Sequence, residues 1–201
     1  MCYISASVGH WSAPLGSIAL FAKKLQGEQP DRHHALNDLI ARTLVSAGIP
    51  ITKLPNGLSR LDGKRPEGLT SVPWKEGKPL TWDTTVVCTV ADSYVSGSAR
   101  EAGTAAKTAA QRKEAKYETL LGTHFFQPVV VESLGTVEEG TSSFLAELGH
   151  RISALSRDSR EIGFLFQRVS VLCSDLTLFC CGRVLLQTAA RRMTYRVIQL
   201  A

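Results

Sequence analysis

Leu69-Thr70-Ser71-Val72-Pro73-Trp74 and Pro79-Leu80-Thr81-Trp82-Asp83-Thr84-Thr85-Val86-Val87-Cys88-Thr89-Val90 stand on either side of Lys75-Glu76-Gly77-Lys78. Both flanks are rich in β-branched and aromatic residues, and the four residues between them have turn composition. The stretch therefore predicts a β-hairpin. Its second flank is nearly continuous in β-formers, as suits a buried central strand. Trp74 and Trp82 flank the turn and are expected to pack across it as a cross-strand aromatic pair. Pairing about Glu76-Gly77 sets Glu67 opposite about Val86, so that Glu67 and Asp83 approach diagonally.

Upstream of the hairpin, His33 to Ala47 carry Leu36, Leu39, Ile40, Thr43 and Leu44 at helical spacing. Asp31 stands where a cap is wanted, and Gly48 and Pro50 end the helix. Ile49 to Leu54 reads as a short strand, closed by a turn at Pro55-Asn56-Gly57. Downstream, Ser98 to Leu121 is alanine-rich and charged, a helix by propensity, ended by Gly122. Phe125 to Glu132 is a strand. Ser142 to Leu155 is an amphipathic helix through Phe144, Leu145, Leu148, Ile152 and Leu155, and Ile162 to Leu172 is a further helix. Strand runs broken by helices predict an α/β domain, a small mixed β-sheet flanked by helices. Residues 1–31, interrupted by Pro14, Gly16, Gly27 and Pro30, read as a poorly ordered lead-in. Residues 32–173 form the domain, and 174–201 read as a divergent basic tail.

Composition narrows the function classes. With 201 residues, 44% hydrophobic and 20% charged, the chain has the apolar surface of one folded domain rather than of a disordered polymer. Cys2, Cys88, Cys173, Cys180 and Cys181 make neither a disulfide frame nor a zinc spacing. An intracellular, reducing compartment is the simplest reading. No run of about 18 apolar residues occurs, so no membrane span is expected, and the start lacks the signature of a signal peptide. The net charge is +5, and residues 32–120 hold 13 basic against nine acidic side chains. That excess suits a polyanionic partner, DNA or RNA; lysines solvating a helix are the plainer alternative.

Glu67 and Asp83 are the candidate chemistry. Two carboxylates on neighbouring strands make a hard oxygen site suited to Mg²⁺, which polarises a phosphodiester and activates water. The plainer alternative is an exposed glutamate and a strand-edge aspartate. The predicted helix 98–121 carries Lys107, Arg112, Lys113, Lys116 and Tyr117, of which Lys113, Lys116 and Tyr117 share a face. A lysine beside the carboxylates would orient water or stabilise developing charge; on a soluble alanine-rich helix it is also unremarkable. Glu132, at the end of the Val129-Val130-Val131 strand, is either a third acid at the same sheet end or the solvated first residue of a loop, and the loop is the favoured reading. His33 and His34 point in different directions from a helix, one toward the core and one free to meet phosphate.

An ordered series of segments adds a resemblance. His33-His34-Ala35-Leu36-Asn37-Asp38, Asp62-Gly63-Lys64-Arg65-Pro66-Glu67-Gly68-Leu69 and Pro79-Leu80-Thr81-Trp82-Asp83-Thr84-Thr85 come first. Lys113-Glu114-Ala115-Lys116-Tyr117, Pro128-Val129-Val130-Val131-Glu132-Ser133-Leu134-Gly135 and Phe164-Leu165-Phe166-Gln167-Arg168-Val169-Ser170 follow. Together they resemble the region downstream of the reverse transcriptase in animal non-LTR retroelement polyproteins. That region is similar to the restriction-like endonucleases of the PD-(D/E)xK superfamily. The resemblance covers about residues 32–172. It implies a restriction-endonuclease-like fold and a magnesium-dependent nuclease that nicks DNA in the nucleus, with the reverse transcriptase of the parent element as a partner. Glu67, Asp83 and Lys116 would be catalytic, and Glu67 and Asp83 would hold the metal. Arg65, Lys107, Arg112, Lys113 and Tyr117 would bind nucleic acid.

The sequence departs from the family pattern in three places. Glu67 stands where an Asp usually follows Arg-Pro, Thr85 stands where many members carry a lysine, and the likeness ends beyond Ser170. In retroelement relatives the lysine lies on the following helix, which points to Lys116 or Lys113. The expectation is a retroelement-derived endonuclease-like domain with its parent's nicking either kept or lost. The alternative is a non-catalytic nucleic-acid-binding remnant of a retroelement polyprotein.

Overall fold

In the computed structural model, which describes residues 29–58 and 65–173, the hairpin forms the middle of a four-stranded sheet. The strands are β1 (Ile51–Lys53), β2 (Gly68–Lys75), β3 (Lys78–Val87) and β4 (Phe125–Glu132), in that spatial order. β1, β2 and β3 pair antiparallel, and β3 pairs parallel with β4. The parallel pair needs a crossover, and helices α2 (Val95–Ser98) and α3 (Thr104–Lys116) supply it. Helix α1 (Gln29–Ser46) precedes the sheet; α4 (Glu139–Ser156) and a helical stretch over 161–173 follow it. The architecture is the predicted mixed α/β sheet flanked by helices. Most of the predicted lead-in and all of the predicted tail lie outside the described residues.

Two apolar layers hold the sheet. Leu80, Trp82, Val86, Val129 and Val131 face α1 and α4, burying Leu36, Ile40, Leu44, Phe144, Leu145 and Leu148, with Leu165 and Val169 of the last helical stretch. On the other face Val87 and Val130 meet Ala105, Ala106, Ala109 and Ala110 of α3. The small alanine side chains let α3 lie close against the sheet. Strand alternation thus sends even-numbered β3 residues toward α1 and odd-numbered ones toward α3.

Several expectations need correction. α1 begins at Gln29 rather than His33, so Asp31 lies inside its first turn, facing the positive end of the helix instead of capping it. The single helix expected over 98–121 is broken: α2 ends at Ser98, and α3 starts behind Gly103, whose φ of 87° is open to glycine but strained for other residues. The hairpin register also differs. Glu76 and Gly77 both have positive φ, the pattern of a type I′ turn, and Lys75 pairs with Lys78. Register shifts on both sides of Pro73 then let β2 spend six residue steps from Leu69 to Lys75 where β3 spends three from Thr81 to Lys78. Pro73 has no N–H to give to the ladder, and bulges gather at such positions. As a result Gly68 pairs with Trp82, and the β3 segment beside Glu67 is Asp83-Thr84 rather than Val86. Trp82 therefore lies against Gly68, not Trp74. Trp74 instead meets Phe144 edge-on at 5.7 Å, under the Arg151 guanidinium at 3.9 Å.

Candidate functional site

Glu67 sits one residue before β2, still tied into the sheet: its N–H donates to the Trp82 carbonyl at 3.0 Å, and its carbonyl accepts from Leu54 at 2.8 Å. Because β2 starts only at Gly68, β3 beyond Trp82 has backbone groups that β2 does not reach. The Glu67 carboxylate takes up that edge. Its Oε2 accepts from the Thr84 N–H at 3.0 Å and from Thr84 Oγ1 at 2.5 Å. Its Oε1 meets His33 Nε2. His33 comes from α1 on the same stripe as Leu36 and Ile40, and its Nδ1 lies 3.4 Å from Thr84 Oγ1. The hydrogen bond that His33 gives to Glu67, the largest influence, holds the imidazole above its ordinary pKa, against the opposing effects of burial and Lys113.

Asp83, the next β3 residue back, faces α3. Lys113 Nζ lies 2.8 Å from its Oδ1 and also donates to the Thr84 carbonyl at 3.2 Å. Lys116 Nζ lies 3.5 Å from Oδ2 and donates to the Tyr117 hydroxyl at 2.7 Å. The Asp83 side chain is only 6% exposed, while those of Lys113 and Lys116 are 20% and 25% exposed. The ion pairs are therefore partly desolvated, and they cost less to break than a fully buried pair.

The structure thus brings Glu67 and Asp83 to adjoining residues of β3 but toward different faces: Glu67 bonds Thr84 and His33 on the α1 side, whereas Asp83 meets Lys113 and Lys116 of α3, with Lys113 the nearer lysine. Tyr117, expected at the nucleic-acid surface, is fully buried instead. Its ring lies 4.7 Å from Phe126, and its hydroxyl donates to the Arg65 carbonyl at 3.1 Å. It ties the segment before Glu67 to the end of α3. Arg65 itself donates to Asn56 at 3.3 Å. Lys107 and Arg112 are exposed on α3; Arg112 stacks 5.1 Å over Tyr94 and donates to its hydroxyl at 2.8 Å.

Glu132 requires a correction. It is buried at the end of β4 rather than solvated in a loop, and its Oε1 accepts from the Ala106 N–H at 3.1 Å. Ala106 lies in the first turn of α3, whose amides lack partners within the helix. Glu132 therefore anchors α3 and does not join the other two acids.

Sequence reasoning gave His33 and Thr84 no role at this site. The signal was present: His33 extends the apolar stripe Leu36-Ile40-Leu44 by one turn, and Thr84 alternates with Trp82 and Val86. The donors available to a divalent cation are the carboxylates of Glu67 and Asp83, hard oxygens of the type Mg²⁺ takes. Asp83 faces the ammonium groups of Lys113 and Lys116, and Glu67 is taken up by His33 and Thr84. No cluster of three or more His, Cys, Asp or Glu side chains able to hold a metal occurs among the described residues.

Fold and site define a small α/β domain with a mixed four-stranded sheet and an acidic–basic cluster at the point where β2 leaves the edge of β3. No known protein-family profile matches the chain, and no curated protein matches it. Among the described residues, no helix is long and apolar enough to cross a membrane.

Proposed function

We propose that the chain is a retroelement-derived endonuclease-like domain whose activity is magnesium-dependent nicking of DNA. One observation supports this reading above the others. Asp83, buried on the central strand, is held by Lys113 at 2.8 Å and Lys116 at 3.5 Å, with the carboxylate of Glu67 on the adjoining residue of the same strand. A restriction-like site needs two acids and a lysine. Here the crossover helix delivers the ammonium that a residue at Thr85 would supply in many superfamily members. The order helix, three antiparallel strands, helix and parallel strand is compatible with that architecture.

Glu67 and Asp83 would hold the ion, which when bound supplies Lewis acidity to a phosphodiester. Lys113 and Lys116 would bind phosphate and stabilise the charge that builds on it. Lys107, Arg112 and Arg65 would carry the strand past the site, and the reverse transcriptase of a parent element would use the nicked end. A nuclear location follows from such a substrate.

The two lysines on Asp83, and the donors that already occupy Glu67, favour a second reading, a domain that binds nucleic acid without cutting it. Nicking of supercoiled plasmid with Mg²⁺ or Mn²⁺, run beside Asp83→Ala, separates the two. Metal-dependent nicking that falls to background in the variant is the expected result. Absence of nicking in the wild-type chain, with DNA still retarded and with affinity falling steeply as salt rises, would replace the nuclease reading with the binding one.

A further inference from the structure

We propose that Asp83 joins Lys113 and Lys116 into one clamp that takes a single phosphate of a nucleic acid. The proposal rests on the chain binding nucleic acid, which both readings above require, and it needs no metal ion. Lys113 and Lys116 stand three residues apart in the last turn of α3, close enough for their like charges to repel. Left alone, two such side chains would splay apart into solvent. Here both turn to one carboxylate, Lys113 at 2.8 Å from Oδ1 and Lys116 at 3.5 Å from Oδ2.

Each ammonium group has a second anchor. Lys113 donates to the Thr84 carbonyl at 3.2 Å, and Lys116 to the Tyr117 hydroxyl at 2.7 Å. Tyr117 is wholly buried and donates in turn to the Arg65 carbonyl at 3.1 Å. The rotamer entropy of the two lysines is therefore lost on folding, so that binding does not have to order them. Exposure sets the direction of approach. The Asp83 side chain is 6% exposed and the lysines 20% and 25%, so an incoming anion meets the ammonium groups rather than the carboxylate. Lys113 uses two of its three N–H donors on Asp83 and Thr84. Charge sets the stoichiometry. Two ammonium groups and one carboxylate leave a single net positive charge, which matches one phosphodiester.

The test is duplex DNA binding by the full chain, read as fluorescence anisotropy over a range of KCl without divalent cations. The steepness of log K against log salt counts the phosphates neutralised, at about 0.9 each for a duplex. Lys113→Gln and Lys116→Gln are each expected to lower it by about 0.9. The double variant is expected to lower it by about 0.9 as well, because both lysines serve one phosphate. Asp83→Asn is expected to raise it by about 0.9, since the cluster then carries two net positive charges. Should Asp83→Asn fail to fold, the three lysine variants decide the matter. A fall of about 1.8 in the double variant would show two independent contacts and overturn the clamp. Unchanged steepness in all three lysine variants would place the nucleic-acid surface away from α3 and overturn it too. An unchanged or lower steepness in a folded Asp83→Asn would overturn the part given to Asp83. A wild-type chain that leaves the DNA anisotropy unchanged at low salt would overturn nucleic-acid binding itself, and this proposal with it.

Discussion

Gly68 shows how one side chain fixes the geometry beside the acids. It pairs with Trp82, and a Cβ added there would stand 2.0 Å from the indole. The indole cannot retreat, because its Nε1 donates to Asn37 at 2.9 Å and its ring is wholly buried. Gly68→Ala should therefore destabilise the protein by about 1–3 kcal/mol, or more, as overpacking does. Gly122→Ala, with nothing within 4 Å of its added carbon, should lie within about 0.5 kcal/mol of wild type. Thermal unfolding of the pair checks this. Asp83→Ala tests the neighbouring ion pairs. It removes the carboxylate that Lys113 and Lys116 face, but they keep their bonds to the Thr84 carbonyl and the Tyr117 hydroxyl, and their 20% and 25% exposure lets water reach the ammonium groups. The expected loss is about 1–2 kcal/mol, below the roughly 3–5 kcal/mol of a fully buried pair. Denaturant unfolding that shows a larger loss would mean that the lysines are more desolvated than their exposure indicates.

At the scale of elements, α4 and the β2–β3 hairpin are joined through a small ionic cluster. Glu147 on α4 pairs with Lys75 of β2 at 2.7 Å and with Arg151 one turn on at 3.0 Å. Burial, the largest single influence, raises the Glu147 pKa. The combined hydrogen bonds and charges of Lys75 and Arg151 outweigh it and hold the carboxyl below its ordinary value. A group depressed in the folded state contributes stability above its unfolded pKa, about 4.3 for glutamate, and loses it as pH falls through the folded value. Glu147→Gln should therefore cost at most about 1 kcal/mol at neutral pH, since the pair is partly open to solvent. The gap from wild type should close below about pH 4. Unfolding curves taken across that range check both the size and the direction. The N-terminus of α4 is set separately, by Glu138, whose side chain accepts from the Thr141 N–H at 2.7 Å.

Across the whole molecule, the sheet separates two kinds of packing with different consequences for the site. The α1–α4 face is a large-residue core, and Leu148→Ala within it should open a cavity costing about 2–5 kcal/mol. The lysine–aspartate geometry of molecules that remain folded should be little changed. The α3 face is built from alanines, so Ala106→Leu has no room and should push α3 off the sheet, carrying Lys113 and Lys116 away from Asp83. The overpacking itself should cost about 1–3 kcal/mol. If nicking occurs, Ala106→Leu should reduce it per folded molecule more than Leu148→Ala does. A plasmid assay corrected for the folded fraction compares the two.

Much of this was legible in the residues. The hairpin, its turn, the α1 stripe and the β4 run follow from local periodicity and turn chemistry, and with them the mixed α/β class. So did the placing of Asp83 on the second strand of the hairpin, with Glu67 just ahead of the first, and of Lys113 and Lys116 on one helix face, because spacing along a regular element dictates which side chains share a side. What spacing could not supply was the slip at Pro73, which moves Glu67 from beside Val86 to beside Asp83-Thr84. A bulge is a compromise among three strands and leaves only a faint local mark. Nor could it supply the burial of Glu132 and Tyr117 or the grip of His33 on Glu67. Each of those contacts joins elements far apart in the chain, so its energy exists only once the sheet has been assembled and both faces covered. Local propensity determined the elements and the candidate acids; long-range packing alone decided that a histidine from the first helix holds one acid and two lysines from the crossover helix hold the other.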